Sequence, residues 1–104
     1  MDRPDIFRAI ADPTRREILA LLSEGAMTVG DVAERFDMTR PAVAKHLKVL
    51  SDGGLISVEA RGRERFNRLN AAPLQQVADW VSRFDAFWDD KLSKLKEEVE
   101  KEHG

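Results

Sequence analysis

Residues 39–50 read Thr39-Arg40-Pro41-Ala42-Val43-Ala44-Lys45-His46-Leu47-Lys48-Val49-Leu50. This stretch decides the fold. Thr39 is a good helix N-cap, and Pro41 sits in the first turn, where its missing N–H costs little. Val43, Leu47 and Leu50 are spaced by four and three, so they share one helical face. At about 100° per residue, Pro41, Ala44, Lys45 and Lys48 fall on the other face. Gly53-Gly54 then stops the helix. Such a helix packs one side on a domain and offers a small, cationic side to something else.

Upstream, Asp37-Met38-Thr39 forms a break. Before it, Thr28 caps another helix, with Asp31 three residues on as a weaker capping box. Val29, Val32, Ala33 and Phe36 supply its buried stripe. Earlier still, Asp12-Pro13 reads as an N-cap followed by proline at the first helical position. Ile18, Leu19, Leu21 and Leu22 give that helix a broad apolar face, and it stops near Gly25. Ile6, Phe7 and Ile10 mark a short amphipathic helix over residues 5–11.

Downstream the periodicity changes. Residues 55–59 and 64–69 read as two strands, joined by a turn over 60–63 that contains Gly62. Asn70 caps a last helix, with Pro73 in its first turn. Its apolar positions Leu74, Val77, Val81, Phe84, Trp88, Leu92, Leu95 and Val99 step by three or four. A helix of about thirty residues exceeds the usual globular length and predicts pairing with a second chain. The fold expected is mainly α with a small β-hairpin wing: a winged helix-turn-helix. One domain spans 1–104, with dimerisation helices at 5–11 and 72–102, the helix-turn-helix at 28–52 and the wing at 55–69.

Composition narrows the chemistry. The chain has 104 residues, 42% hydrophobic and 35% charged, and no cysteine. Disulfides, thiolate metal sites, thiol redox sensing and cysteine nucleophiles are excluded together. Two histidines, His46 and His103, cannot form a histidine metal cage within one chain. No nucleophile–base pair, phosphate-cradling loop or metal-ligand spacing is present, so neither an enzyme nor a metal or cofactor site is expected. The longest strongly apolar run, residues 18–22, is far too short for a bilayer. Met1-Asp2-Arg3-Pro4 is polar with no apolar signal region behind it. A cytoplasmic protein with no membrane partner is expected.

The net charge of −2 conceals an uneven distribution. Residues 38–69 carry seven basic and three acidic side chains, a balance of +4, whereas 85–102 carry seven acids and four lysines, a balance of −3. The basic middle coincides with the second helix of the helix-turn-helix and the wing, and double-stranded DNA is the partner this predicts. Arg40 stands at the N-terminal end of the helix, where recognition helices touch bases. Ala44 permits close approach and offers a methyl to a thymine methyl. Thr39 and the free first-turn N–H groups suit a phosphate. Lys45 and Lys48 line the same face. Arg61, Arg63 and Arg65 on the wing are expected mainly at phosphates, leaving sequence reading to the helix. Arg15 and Arg16 either touch phosphates or are solvated. His46 falls at the margin of the buried face.

The aromatic residues Trp80, Phe84, Phe87 and Trp88 are read as core or dimer seam rather than a ligand pocket. Asp89-Asp90 and Glu97-Glu98 are read as a solvated face. Ile6, Phe7, Ile10, Leu74, Val77, Val81, Phe84, Trp88 and Leu92 are the positions expected to form a homodimer. The alternative is a winged-helix protein-interaction module served by the acidic tail. The run of wing arginines speaks against it.

Residues 12–19, Asp-Pro-Thr-Arg-Arg-Glu-Ile-Leu, together with residues 39–50 and the following Gly53-Gly54-Leu55-Ile56, resemble the ArsR/SmtB family of bacterial winged helix-turn-helix repressors. The resemblance covers essentially the whole chain. It implies a dimer built from the first and last helices, recognition helices in successive major grooves of a palindromic operator, and repression released by an effector, here an unidentified small molecule. Thr28 and Gly30 stand where metal-sensing members carry a cysteine pair, and the last helix has no histidine before His103. The chain therefore resembles the metal-independent, autorepressor-like branch. Ala44 stands where a serine is common, so that hydroxyl hydrogen bond is absent.

Overall fold

Side-chain caps set where the first four helices begin. The computed structural model describes the backbone of residues 5–103 and the side chains of residues 5–100. The expectation drawn from Met1-Asp2-Arg3-Pro4 lies outside these described residues. Helix α1 (Ile6–Ala9) follows Asp5, whose carboxylate accepts from the Arg8 N–H. Helix α2 (Pro13–Leu22) follows Asp12 in the same way, with Pro13 at its first position. At α3 (Val29–Phe36) the capping box is complete: Thr28 Oγ1 accepts from Asp31 N–H, and Asp31 accepts from Thr28 N–H. Thr39 Oγ1 accepts from Ala42 N–H at the start of α4 (Arg40–Asp52). Each such cap satisfies a backbone donor that the helix itself leaves unpaired.

The helix ends follow from backbone geometry. Asp37 closes α3 in the left-handed region (φ 51°, ψ 46°), and the chain turns through Met38 into α4. Gly54 (φ 75°) closes α4, with Leu55 N–H bonding back to Leu50 O. Helix α2 ends at Ser23, two residues before Gly25.

Strands β1 (Ile56–Arg61) and β2 (Glu64–Leu69) pair antiparallel, with Arg61 opposite Glu64. The loop between them is thus Gly62-Arg63 alone: β1 runs two residues into the four-residue turn expected at 60–63, whereas β2 begins at Glu64 as expected. Gly62 has φ 61° and Arg63 does not have positive φ, the sign pattern of a II′ hairpin turn. Met27 forms a one-residue bridge to Asn67, adding a short third arm to the hairpin.

The core joins all these pieces. Ile6 and Ala9 of α1, Ile18, Leu19 and Leu22 of α2, Val32 and Ala33 of α3, Val43, Leu47 and Leu50 of α4, then Leu55 and Ile56 are buried together. Burying each such large aliphatic side chain contributes about 1.5–3 kcal/mol. Ile6 is only 2% exposed in this core. Its expected place at a dimer seam is therefore corrected: this side chain is already used within its own chain.

The last helix is also corrected. In place of one helix over 72–102 there is a 3-10 turn (Ala72–Leu74), α5 (Gln75–Ser82) and α6 (Asp85–His103). The interruption has a local cause. Ser82 Oγ donates to Asp79 O, the carbonyl that Arg83 N–H would use in a continued α-helix. Arg83 N–H bonds Trp80 O and Phe84 N–H bonds Val81 O instead, tightening the backbone for one turn. Nor does Asn70 cap a helix: its side-chain amide donates to Gly54 O at 2.8 Å and its N–H to Leu55 O. Among the described residues no helix is long and apolar enough to cross a membrane.

Candidate nucleic-acid interface

Helix α4 presents two opposed faces. Val43, Leu47 and Leu50 are buried, whereas Pro41, Ala44, Lys45 and Lys48 are exposed on the outer side and Arg40 is exposed at the helix's N-terminal end. The exposed face is narrow and carries its smallest residue, Ala44, at the middle. His46 is half-buried at the margin, on the side of Asp12. Foremost the Arg15 N–H bond, with the charges of Arg15 and His46 added, holds the Asp12 carboxyl below the usual aspartate range against its partial desolvation.

The wing's cations do not act as one cluster. Strand register puts directly paired residues on a common face. Arg65 lies opposite Ala60 and shares its face with Val58 and the buried Asn67, toward α4. It lines a hollow of about 330 Å³ between α4 and the hairpin, together with Ala44, Lys48 and Ser51. Arg61 points to the other face. There it donates to Glu59 at 3.1 Å and lies 4.7 Å from the centre of the Phe66 ring. Arg68 bonds the same Glu59 carboxylate at 3.2 Å. These two hydrogen bonds, Arg61's first, hold the Glu59 carboxyl below the ordinary glutamate range. Arg63 occupies the exposed tip.

Pairing therefore separates the candidate cations. Arg61 is engaged by Glu59, and Lys48 by Asp52 at 3.3 Å. The latter pair is highly exposed and contributes at most a few tenths of a kcal/mol, by the usual size of such pairs. Among the described residues Arg40, Lys45, Arg63 and Arg65 have no carboxylate partner within 4 Å. Arg15 and Arg16 have partners within the chain that the sequence did not suggest. Arg15 donates to Ala9 O at 2.6 Å and Arg8 O at 3.1 Å, and Arg16 to Ile10 O at 2.8 Å, so both close the end of α1.

Three contributors escaped the reading of the sequence. Glu59 decides which wing arginines are paired, and strict alternation along β1 would have shown it beside Arg61. Asn67 anchors the wing by bonding Met27, forty residues away, and has no sequence signal. Gly30 lies beneath the Arg40 guanidinium: a Cβ there would sit 2.9 Å from Arg40 Nη2. No window of sequence predicts that contact.

Apart from the buried Ile6, the residues expected to dimerise fall into two groups. Ile10, Leu74 and Val77 pack at the edge of the core. Phe7, Val81, Phe84, Trp88 and Leu92 are exposed, as are Trp80, Phe87, Leu95 and Val99. Aromatic pairs link part of this surface edge-to-face: Phe7 with Trp80, Trp80 with Phe84, and Phe87 with Trp88. The first of these pairs joins α1 to α5. Among the described residues no group of three or more histidines or carboxylates gathers as a metal-ligand set.

Comparison with known proteins agrees with this architecture. A helix-turn-helix domain model matches residues 10–59. The chain is 41% identical to the transcriptional repressor SdpR of Bacillus subtilis over 80 residues, covering 77% of this chain and 89% of that protein. It is similar in structure to the ArsR family transcriptional regulator RHA00566, with a TM-score of 0.70 and 39% identity over 81% of this chain and 92% of that one. It is also similar to the homodimeric winged helix-turn-helix DNA-binding domain of Mb0332 from Mycobacterium bovis, with a TM-score of 0.59 and 25% identity over 80% and 74% of the two chains. With this degree of identity along most of its length, and with helix-turn-helix and wing in place, the chain belongs to the ArsR family of helix-turn-helix transcriptional regulators.

Proposed function

We infer that this protein is a repressor that binds double-stranded DNA as a homodimer, each α4 entering a major groove of a two-fold symmetric operator. One observation carries the reading. The exposed face of α4 holds Lys45 and the small Ala44 opposite a buried apolar face, and the wing sets Arg65 beside it and Arg63 at its exposed tip, both without a carboxylate partner among the described residues. A helix of this width fits a groove about 12 Å across, and the flanking cations meet the phosphate strands that border it. The repressor role is supported by the likeness to SdpR. The dimer is supported by the homodimeric Mb0332 domain and by the exposed aromatic surface of α5 and α6. Such a protein acts where the chromosome is, in the cytoplasm.

The test is binding to a duplex selected by the protein from a random pool. A symmetric site should emerge, and affinity should fall steeply with salt, log K dropping by about 0.9 per neutralised phosphate for each unit of log salt. The double variant Arg40→Ala plus Lys45→Ala should lose most of that binding. Selection of no sequence, with flat isotherms at low salt and recovery of a protein partner, would instead establish an interaction module.

A further inference from the structure

We propose that Arg40 and Arg65 clamp one DNA backbone phosphate at the rim of the groove, and that Gly30 is the positioning residue that makes the clamp. This inference rests on the DNA reading above and assigns Arg40 to the backbone rather than to a base edge.

The Arg40 side chain does not run forward along the exposed face of α4. Its guanidinium lies back over α3, so close that a Cβ on Gly30 would meet Nη2 at 2.9 Å and Cζ at 3.2 Å. A Cβ at residue 30 would push the guanidinium off this position. Arg65 reaches the same place from the α4-facing side of the wing. Arg40 and Arg65 line one open hollow of about 310 Å³, whose remaining walls are Thr28, Val29, Gly30 and Glu64. The two cations come from different elements, and among the described residues neither has a carboxylate within 4 Å, although Glu64 lines the same hollow. Two arginines without carboxylate partners among the described residues, lining one solvent-open space, are suited to a phosphate, for which guanidinium donor forks are matched.

Position supports the same ligand. A helix lying in the major groove meets base edges along its outer face and sugar-phosphate strands along its flanks. Ala44, Lys45 and Lys48 occupy the outer face. The hollow lies at the flank, between the start of α4 and the wing. A phosphate held there fixes the register of the helix in the groove without itself reading sequence.

The test compares wild type, Gly30→Ala, Arg40→Ala, Arg65→Ala and the double variant Gly30→Ala plus Arg40→Ala, on the selected duplex and on its scrambled counterpart, across a salt series. Gly30 lies in α3 without positive φ, so alanine is compatible with the helix and should not lower the melting temperature. Each arginine variant should weaken both duplexes by a similar factor, about tenfold or more, and reduce the salt slope by about one unit per half-site. Gly30→Ala should weaken binding in wild type and change nothing further in the Arg40→Ala background. Loss of Arg40 that weakens only the selected duplex would make it a base reader and overturn the clamp. Wild-type affinity for Gly30→Ala would overturn the role of the glycine. If wild type bound neither duplex at low salt, the DNA reading itself would fall, an outcome distinct from both.

Discussion

Asn67 donates to Met27 O from both its backbone N–H, at 2.7 Å, and its side-chain amide, at 3.2 Å, while Met27 N–H donates to Asn67 O at 3.0 Å. These three bonds join β2 to the residue just before the α3 cap. Asn67 is only 5% exposed, and a polar side chain so buried must be bonded to be tolerated. The bonds therefore hold the wing in place relative to the helix-turn-helix.

Removing this tie should loosen the wing. Asn67→Ala is expected to cost about 1 kcal/mol, the usual net value of one buried hydrogen bond, or about 4–8 °C in Tm for a domain of this size. Thermal unfolding by circular dichroism measures it. DNA affinity should fall as well, because Arg65 is two residues away on the same strand face. An unchanged Tm would mean that the side-chain bond contributes nothing to the fold.

Ile6 and Trp88 should respond oppositely to a charge. Ile6 is 2% exposed in its own core, whereas Trp88 is 52% exposed on α6. Ile6→Glu should unfold the chain, since a buried unpaired carboxylate is costly. Trp88→Glu should leave helicity intact and convert the dimer to monomer in sedimentation at micromolar concentration. DNA binding to a two-half-site duplex should then collapse, since each monomer engages one half only. A Trp88→Glu protein that sediments as a dimer would move the seam elsewhere.

Glu59 should restrain the wing. Its carboxylate engages Arg61 and Arg68, and Glu59→Gln removes that competition for both. Operator affinity at neutral pH should rise by about three- to tenfold, with a steeper salt dependence. The sign with pH follows from the depressed carboxyl. A carboxyl whose pKa is lower folded than unfolded stabilises the protein above its unfolded value, about 4.3, and that contribution is lost as pH falls through the lower folded value. A carboxyl titration followed by NMR should place Glu59 below ordinary glutamates. The Arg61→Ala plus Arg68→Ala variant should return it to the usual range.

The left-handed turn at Asp37 should be improvable. A non-glycine residue at φ 51° carries a backbone penalty that glycine avoids. Asp37→Gly should stabilise the fold by up to about 1 kcal/mol, and a β-branched Asp37→Val should destabilise it by at least as much. Denaturant midpoints distinguish the two. Equal midpoints would show that the turn between α3 and α4 stores no such strain.

Much of this molecule was legible in order of sequence. The caps at Asp12, Thr28 and Thr39, the buried stripe of Val43, Leu47 and Leu50, and the glycine stop at Gly54 are all local. A cap reaches three residues and a helical face repeats within seven, so each is written in one short window. The hairpin was legible too, although not its length: Ala60 and Arg61 are strand residues because Gly62-Arg63 alone suffices for the loop. The last helix misled for a related reason. Apolar spacing from Leu74 to Val99 is continuous, but spacing does not register a serine hydroxyl taking a backbone carbonyl at Asp79.

The amino-acid order alone determines which helices form, which of their faces are apolar, and that the cations concentrate between residues 38 and 69. Tertiary structure decides which of those cations are free. Arg61 and Arg65 are four residues apart, yet the antiparallel register turns one toward Glu59 and Arg68 and the other toward α4. Arg40 lies over Gly30 only because α3 packs beside α4. Ile6 is buried only because α1 closes the same core. In each case the deciding contact joins elements whose mutual placement is set by burial of the shared core, a sum over the whole chain that no local pattern contains.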